Sequence, residues 1–301
     1  MLRCVAVVKF YTLVLAVAVI SQPPKSGPPT VGIEMRNVRL HVAADALLEV
    51  KFLSGALNSV SAHPPVFDDQ HSFTMTVTDG EMALDAASLT ALVNRAFDYK
   101  GSALSDLRVT FENGRLLQRG TLKKGISVPF SIVADVSATA DGLMHVHPVK
   151  VKTAGIPTTK LMSVFGVELD DILKGRPDRG FTFKDNELFL DPGKMLPAPA
   201  TRGKLTKVFV RGDRLVQVFG RGAEGFAKGS GNYIWFRGGT IRFGRLTMSD
   251  TDLKLIDMDP KDPFDFFSDR YNDQLVAGYS KNTPDHALRT YMPDFNDLKK
   301  K

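Results

Sequence analysis

Residues 154–175, AGIPTTKLMSVFGVELDDILKG, form the most apolar helix-like stretch outside the N-terminus. Leu161, Val164, Phe165, Leu169, Ile172 and Leu173 recur at helical spacing. Met162 and Val167 carry apolar surface onto the other side, and Gly166 interrupts it. A helix apolar all round is buried in protein or faces lipid. Strand patterns lie on both sides of this stretch, so the expectation is a sheet that encloses it.

Upstream, Val31, Ile33 and Met35 alternate, then Val38, Leu40 and Val42, and the phase change at Arg36-Asn37 predicts a bulge or bend. Leu48, Val50 and Phe52, then Phe73, Met75 and Val77, continue the alternation, with Asp79-Gly80 as a tight-turn signal. The period changes over Asp85–Tyr99. Leu89, Leu92, Val93, Ala96 and Phe97 share one helix face, Thr90, Asn94 and Arg95 make the polar side, and Asp85 or Ser88 caps the start. Strands resume around turns at Asn113-Gly114 and Asp141-Gly142.

Downstream, hairpin signals occur at Asp185-Asn186, Gly212-Asp213 and Gly238-Gly239, the last between Tyr233–Phe236 and Ile241–Met248, while Pro192–Pro199 reads as a loop. Asp257–Asp273 mixes Asp, Pro and aromatic residues. It reads as a surface-wrapping tail whose Phe264, Phe266 and Phe267 turn back onto the body.

The chain has 301 residues, 39 basic and 33 acidic, for a formal charge of +6. That surplus is dispersed apart from Lys299-Lys300-Lys301, and no basic stripe with interleaved aromatics accompanies it, which argues against nucleic acid as a partner. Arg3 and Lys9 precede the apolar run Phe10–Ile20, followed by Ser21-Gln22-Pro23-Pro24, as in a secretory signal. That run is shorter than the roughly 20 residues of a bilayer span. With Lys9 snorkelling, Leu2–Ile20 would still serve as an uncleaved anchor, so export is expected with cleavage and anchoring both open. The only cysteine, Cys4, lies inside this segment, so the body beyond it has neither disulfide nor thiolate chemistry. The expected organisation is a signal peptide or membrane anchor over 1–21, a Pro/Gly linker over 22–30, a curved-sheet domain over 31–255 with a core unit over 85–220, and an extension over 256–301.

No motif carries catalysis. Gly220-Arg221-Gly222-Ala223-Glu224-Gly225 matches a dinucleotide fingerprint, but the glycines at 229 and 231 leave no room for the helix that must open there. His145 and His147 stand two residues apart on one strand face, without an identifiable third ligand, so no metal is expected. The Asp257, Asp259, Asp262, Asp265 and Asp269 run lacks the glycine and glutamate of an EF-hand loop and reads as a solvated acidic loop. Glu168, Asp170 and Asp171 give the central helix a polar edge, and neither G-x-S-x-G nor S-x-x-K occurs.

The order of elements from Asp85 to about Gly220 resembles the LmeA-type phospholipid-binding proteins, relatives of the tubular lipid-binding (TULIP) superfamily. The resemblance rests on S-L-T-A-L-V-N at Ser88–Asn94, L-R-V-T-F-E-N-G-R-L at Leu107–Leu116, V-P-F at Val128–Phe130, the Asp141-Gly142 turn, H-P-V-K-V at His147–Val151 and a second apolar helix. Flanking pieces such as R-N-V-R-L-H-V are loosely similar to AsmA-type envelope lipid-transport strands. The resemblance implies an α+β fold in which a long curved antiparallel sheet wraps around one or two apolar helices. It implies a groove for acyl chains, no enzyme activity and no cofactor. Candidate groove residues are Val109, Phe111, Val128, Phe130, Ile132, Leu161, Val164, Phe165 and Leu169. The expected function is an exported protein of the cell envelope, periplasmic or anchored and facing the periplasmic or extracellular side. It would bind a phospholipid or glycolipid, meet the membrane surface and aid lipid transport. The alternative is a non-enzymatic β-rich envelope scaffold for a protein partner, and a hydrolase with a scattered site ranks third.

Overall fold

The computed structural model describes residues 28–124, 126–153, 175–185, 187–225 and 229–298. The expected central helix, with Leu161, Val164, Phe165 and Leu169, lies outside the described residues, and so does the N-terminal signal or anchor. What is described is an α+β chain dominated by long antiparallel sheets that do not close into a barrel.

Three long strands, β1 (Thr30–Ala43), β2 (Ala46–Ser59) and β3 (Phe73–Asp85), pair as an antiparallel meander. Their buried positions change parity along one line. On β1 the buried set passes from Val31, Ile33 and Met35 to Val38, and on β3 from Phe73, Met75 and Val77 to Met82 and Leu84. The line runs through Asn37, whose φ is +49°, and through Phe52-Leu53 and Asp79-Gly80. A local kink of this kind bends a strand while keeping its apolar side chains on one face. Asp79-Gly80 is therefore a crease inside β3 and not the expected chain reversal. The Asp79 carboxylate is buried there and accepts the Arg221 backbone N–H at 2.7 Å, which fixes the kink without a turn.

Helix α1 (Ala86–Phe97) follows β3 directly. Asp85 caps it by accepting the Ser88 N–H at 2.7 Å, and Ser88 Oγ accepts the N–H of Leu47 at 2.9 Å. Leu89, Leu92, Val93, Ala96 and Phe97 are buried, as the spacing predicts.

The polar side of α1 does more than face water. It lies along the open edge of β4 (Leu104–Glu112). Asn94 donates to Leu107 O at 2.7 Å and accepts Leu107 N–H at 3.1 Å, while Thr90 Oγ1 accepts Val109 N–H at 2.9 Å. Two side chains one helical turn apart thus stand in for a neighbouring strand and blunt an edge that would otherwise pair with another chain. Asn94→Ala is expected to destabilise the fold by about 1–3 kcal/mol, because a donor and an acceptor on β4 lose their partners. Urea denaturation measures this, and a loss below about 0.5 kcal/mol would show that water replaces the amide.

After β4 come β5 (Arg115–Lys124), β6 (Ile126–Ala138), β7 (Met144–Thr153), β8 (Phe181–Lys184) and β9 (Glu187–Leu190), forming a six-stranded sheet in the order β4-β5-β6-β7-β9-β8. Asn113 and Gly114, at φ +52° and +75°, make the predicted hairpin turn, since both central residues must be left-handed to match the strand twist. α1 touches both end strands of this sheet. It meets β4 through Asn94, and on the other side the Phe97 ring lies 4.3 Å from that of Phe181. Arg179 completes the contact by donating to the carbonyls of Arg95, Ala96 and Asp98 at the helix end.

The chain then returns to the first sheet. β10 (Ala200–Gly203) runs parallel to the first half of β3, and β12 (Arg214–Phe219), paired with β11 (Leu205–Arg211), takes the second half. On the other side β13 (Tyr233–Arg237) pairs with β1 before the crease, and β17 (Phe264–Phe267) runs parallel to it beyond. The crease is thus also where the meander changes partners on both flanks, and the result is an eleven-stranded sheet.

Two expectations are corrected here. Gly238-Gly239 does not close a hairpin, because β13 pairs with β16 (Asp252–Asp257). β14 (Thr240–Phe243) and β15 (Leu246–Ser249) instead form a separate small hairpin. Beyond 255 the phenylalanines turn back onto the body as expected, but the segment joins the sheet instead of lying over its surface. Phe264 and Phe266 are 0% and 1% exposed, and β19 (Leu288–Met292) pairs with β16 and with β18 (Tyr279–Asn282). Alternating Asp and Phe put the apolar rings inward, and the carboxylates that follow them inward are met by protein donors.

Candidate functional site

Two apolar voids lie on the inner face of the large sheet, of about 40 and 70 Å³. Leu48, Met82, Leu84, Leu89 and Leu92 of the sheet and α1 line the smaller, with Met144 of β7. Met35, Leu40, Leu57, Ile234 and Phe236 line the larger. Leu48, Met75, Leu196 and Thr201 border both. The crease explains the shared face, since Met35 and Leu40 stand on opposite sides of it and line one void.

A strap covers the voids. One helical turn, Pro192–Met195, begins where Asp191 Oδ1 accepts the Gly193 N–H at 3.1 Å, and Leu196–Pro199 then leads into β10. Gly193 is needed for close approach, because a Cβ there would stand 2.0 Å from Thr201 O. An aromatic cluster stops the far end of the larger void. Phe67 stacks on Phe243 at 4.5 Å and meets Tyr271 edge-on at 5.0 Å. Asp68 holds this loop by accepting Tyr271 OH at 2.8 Å and Gly244 N–H at 2.6 Å. Burial works against the Asp68 charge, yet these hydrogen bonds keep its carboxyl below the usual carboxylate range. Burial and the same carboxylate push the Tyr271 phenol up.

Of the residues expected to line a groove, Leu161, Val164, Phe165 and Leu169 lie outside the described residues, and the other five border neither of these two voids. Val109 and Val128 are buried, and Phe111, Phe130 and Ile132 are partly buried against the core. The β4–β5–β6 register brings all five to one face of the six-stranded sheet, and Gly120 leaves room for the Phe130 ring, but none of the five borders either void. Residues missed from the sequence include Met75, Met82, Met144, Met195 and Leu196. The available signal was methionine, a flexible side chain that fills irregular apolar space. Met35 and those four border the voids.

The other motifs find structural roles. Gly220 of the glycine-rich loop, at φ +55°, admits Thr78 O where a Cβ would stand 2.0 Å away, and a 3₁₀ turn over Gly222–Gly225 follows it. Of the aspartates expected in a solvated loop, Asp262 and Asp269 are exposed and Asp259 is partly so, but two are not. Asp257 and Asp265 are 6% and 3% exposed, and Asn232, the Asp259 N–H, His41 and Asn296 occupy their oxygens. His145 and His147 do acquire a third neighbour, Glu187 of β9. No family model, curated protein or solved structure matches this chain.

Proposed function

We propose that the chain is an exported envelope protein that holds a phospholipid or glycolipid by its acyl chain, beneath the Pro192–Thr201 strap. The observation that carries this reading is the pair of apolar voids that share Leu48, Met75, Leu196 and Thr201. Contact of α1 with both end strands of the six-stranded sheet supports a sheet wrapped around a helix, as in the TULIP proteins. The Phe10–Ile20 run supports export. Among the described residues no helix is long and apolar enough to cross a membrane.

Each void is smaller than the roughly 150 Å³ of an engineered cavity that admits benzene. An acyl chain therefore enters by lifting the strap and joining the two spaces. Each buried methylene then contributes about 0.8 kcal/mol, less the work of opening. Native mass spectrometry of the purified chain is expected to show a co-purified lipid. Leu196→Trp, which fills the junction of both voids from an irregular segment, should lower lipid retention at least 10-fold with little change in Tm. A lipid-free wild type, or retention unchanged in the variant, would leave a packed scaffold for a protein partner as the better reading.

A further inference from the structure

We propose that His145, His147 and Glu187 bind a divalent transition-metal ion of the zinc class on the outer face of the six-stranded sheet. Strand alternation fixes the two imidazoles. Met144 and Val146 point into the core, so His145 and His147 point out, 23% and 53% exposed at the side chain. β9 supplies the third group. Its register sets Leu188 against Val146 and Phe189 against His145, which carries Glu187 to His147. The carboxylate then bridges the rings, with Oε2 at 2.6 Å from His145 Nε2 and Oε1 at 2.5 Å from His147 Nδ1. Phe189 stacks on the His145 ring at 4.9 Å and 9°, holding its plane.

All three ligand atoms lie within 4.8 Å of one another. Tetrahedral ligands at about 2.1 Å from a metal stand about 3.4 Å apart. The carboxylate must withdraw by under about 1 Å, and the two nitrogens, within 4.8 Å of each other, close by at most about 1.4 Å, within reach of side-chain rotations. Two imidazoles and one carboxylate suit zinc and its late first-row neighbours better than calcium or magnesium, which take oxygen ligands. Asp135 stands opposite His147 on β6, but Arg115 engages it at 2.8 Å. The protein set is therefore three, with a fourth position open to water, the arrangement of catalytic rather than structural zinc sites. Lys184, opposite Glu187 on β8, works against a cation, but it is exposed on a flexible stem, and the Arg115 charge is met by Asp135.

The test is isothermal titration of zinc chloride into the untagged full chain at pH 7.5 after chelator treatment. One equivalent is expected to bind with micromolar or tighter Kd. His147→Ala and Glu187→Gln should each weaken binding at least 10-fold, and Asp135→Asn should leave it within about 2-fold. Cobalt(II) should give the visible absorption of a four-coordinate site, lost in the same variants. Both changes are at partly exposed positions, and circular dichroism confirms that the fold is kept. Absence of saturable binding overturns the proposal. So does binding that persists within 2-fold in both variants, which would place the metal at His41, His63, His71 or His286. Lipid retention plays no part in these readouts.

Discussion

Phe266→Ala is expected to destabilise the protein by about 3–5 kcal/mol, a large share of the stability of an ordinary domain. Phe266 is 1% exposed, sits on a strand paired with β1, and borders the larger void. Its ring is 5.5 Å from Phe264 and 6.4 Å from Phe67, so truncation opens space beside a void of about 70 Å³ already present. Leu40 and Phe236, which border the same void, stand on β1 and β13, each paired on both sides, so the gap collapses only partly and the loss falls toward the upper end. Urea denaturation would show a lower midpoint with an unchanged slope. A loss under about 1 kcal/mol would mean that residues beyond 255 undock without disturbing the core. The same variant probes the lipid proposal, because the enlarged void should retain an acyl chain at least as well as the wild type.

The sequence pattern was sufficient where one local rule governed. Alternation placed β1, β2 and the first half of β3, Asp85 and the Leu89–Phe97 face defined α1, and Asn113-Gly114 closed a two-residue turn. It failed where tertiary partners decided. Asp79-Gly80 has the chemistry of a turn, but Arg221, far away in the chain, fixes it as a crease. Gly238-Gly239 has the same chemistry, but β16 offers β13 a better neighbour than β14 does. Phe264 and Phe266 were legible as rings that turn inward, but Asp265 between them reads as a surface residue, and only tertiary partners, among them His41 and Asn296, make its carboxylate tolerable inside.

The same limit governs the candidate sites. A void is a relation among strands remote in sequence, so Met75 on β3 and Leu196 on the strap carry no mutual signal. Glu187 is 40 residues from His147 and reaches it only through the β7–β9 register. Thr90 and Asn94 were legible as a polar helix side, but their acceptance and donation along β4 depended on which edge the helix met. In each case the residue type was visible and its partner was not.

Stability is expected to fall as pH rises from about 4 to about 7, with Asp294 the main cause. Asp294 is 8% exposed and accepts the Asp265 N–H at 2.7 Å. Burial pushes its carboxyl up to about 7, the Asp265 N–H pulls the other way, and the charges of Asp257, Asp262 and Asp265 add to the rise. Asp257 shifts in the same direction, also through burial. The folded chain thus binds a proton that the unfolded chain has already released, and this contribution is full below about 4 and lost as pH climbs through about 7. The carboxyls held low work in the other window. Asp252, bonded first to Arg289, and Glu81, bonded to Arg211 against the effect of its own burial, stabilise above their unfolded values and fail only as the medium becomes more acid. The stability maximum therefore falls in mildly acid solution. At one unit per 1.36 kcal/mol, the loss between pH 5 and pH 8 is roughly 2–3 kcal/mol. Asp294→Asn keeps an oxygen for the Asp265 N–H and removes the charge, so its urea midpoint should be nearly level across that range. A wild-type profile flat from pH 5 to pH 8, or a variant with the wild-type slope, would remove Asp294 from this role.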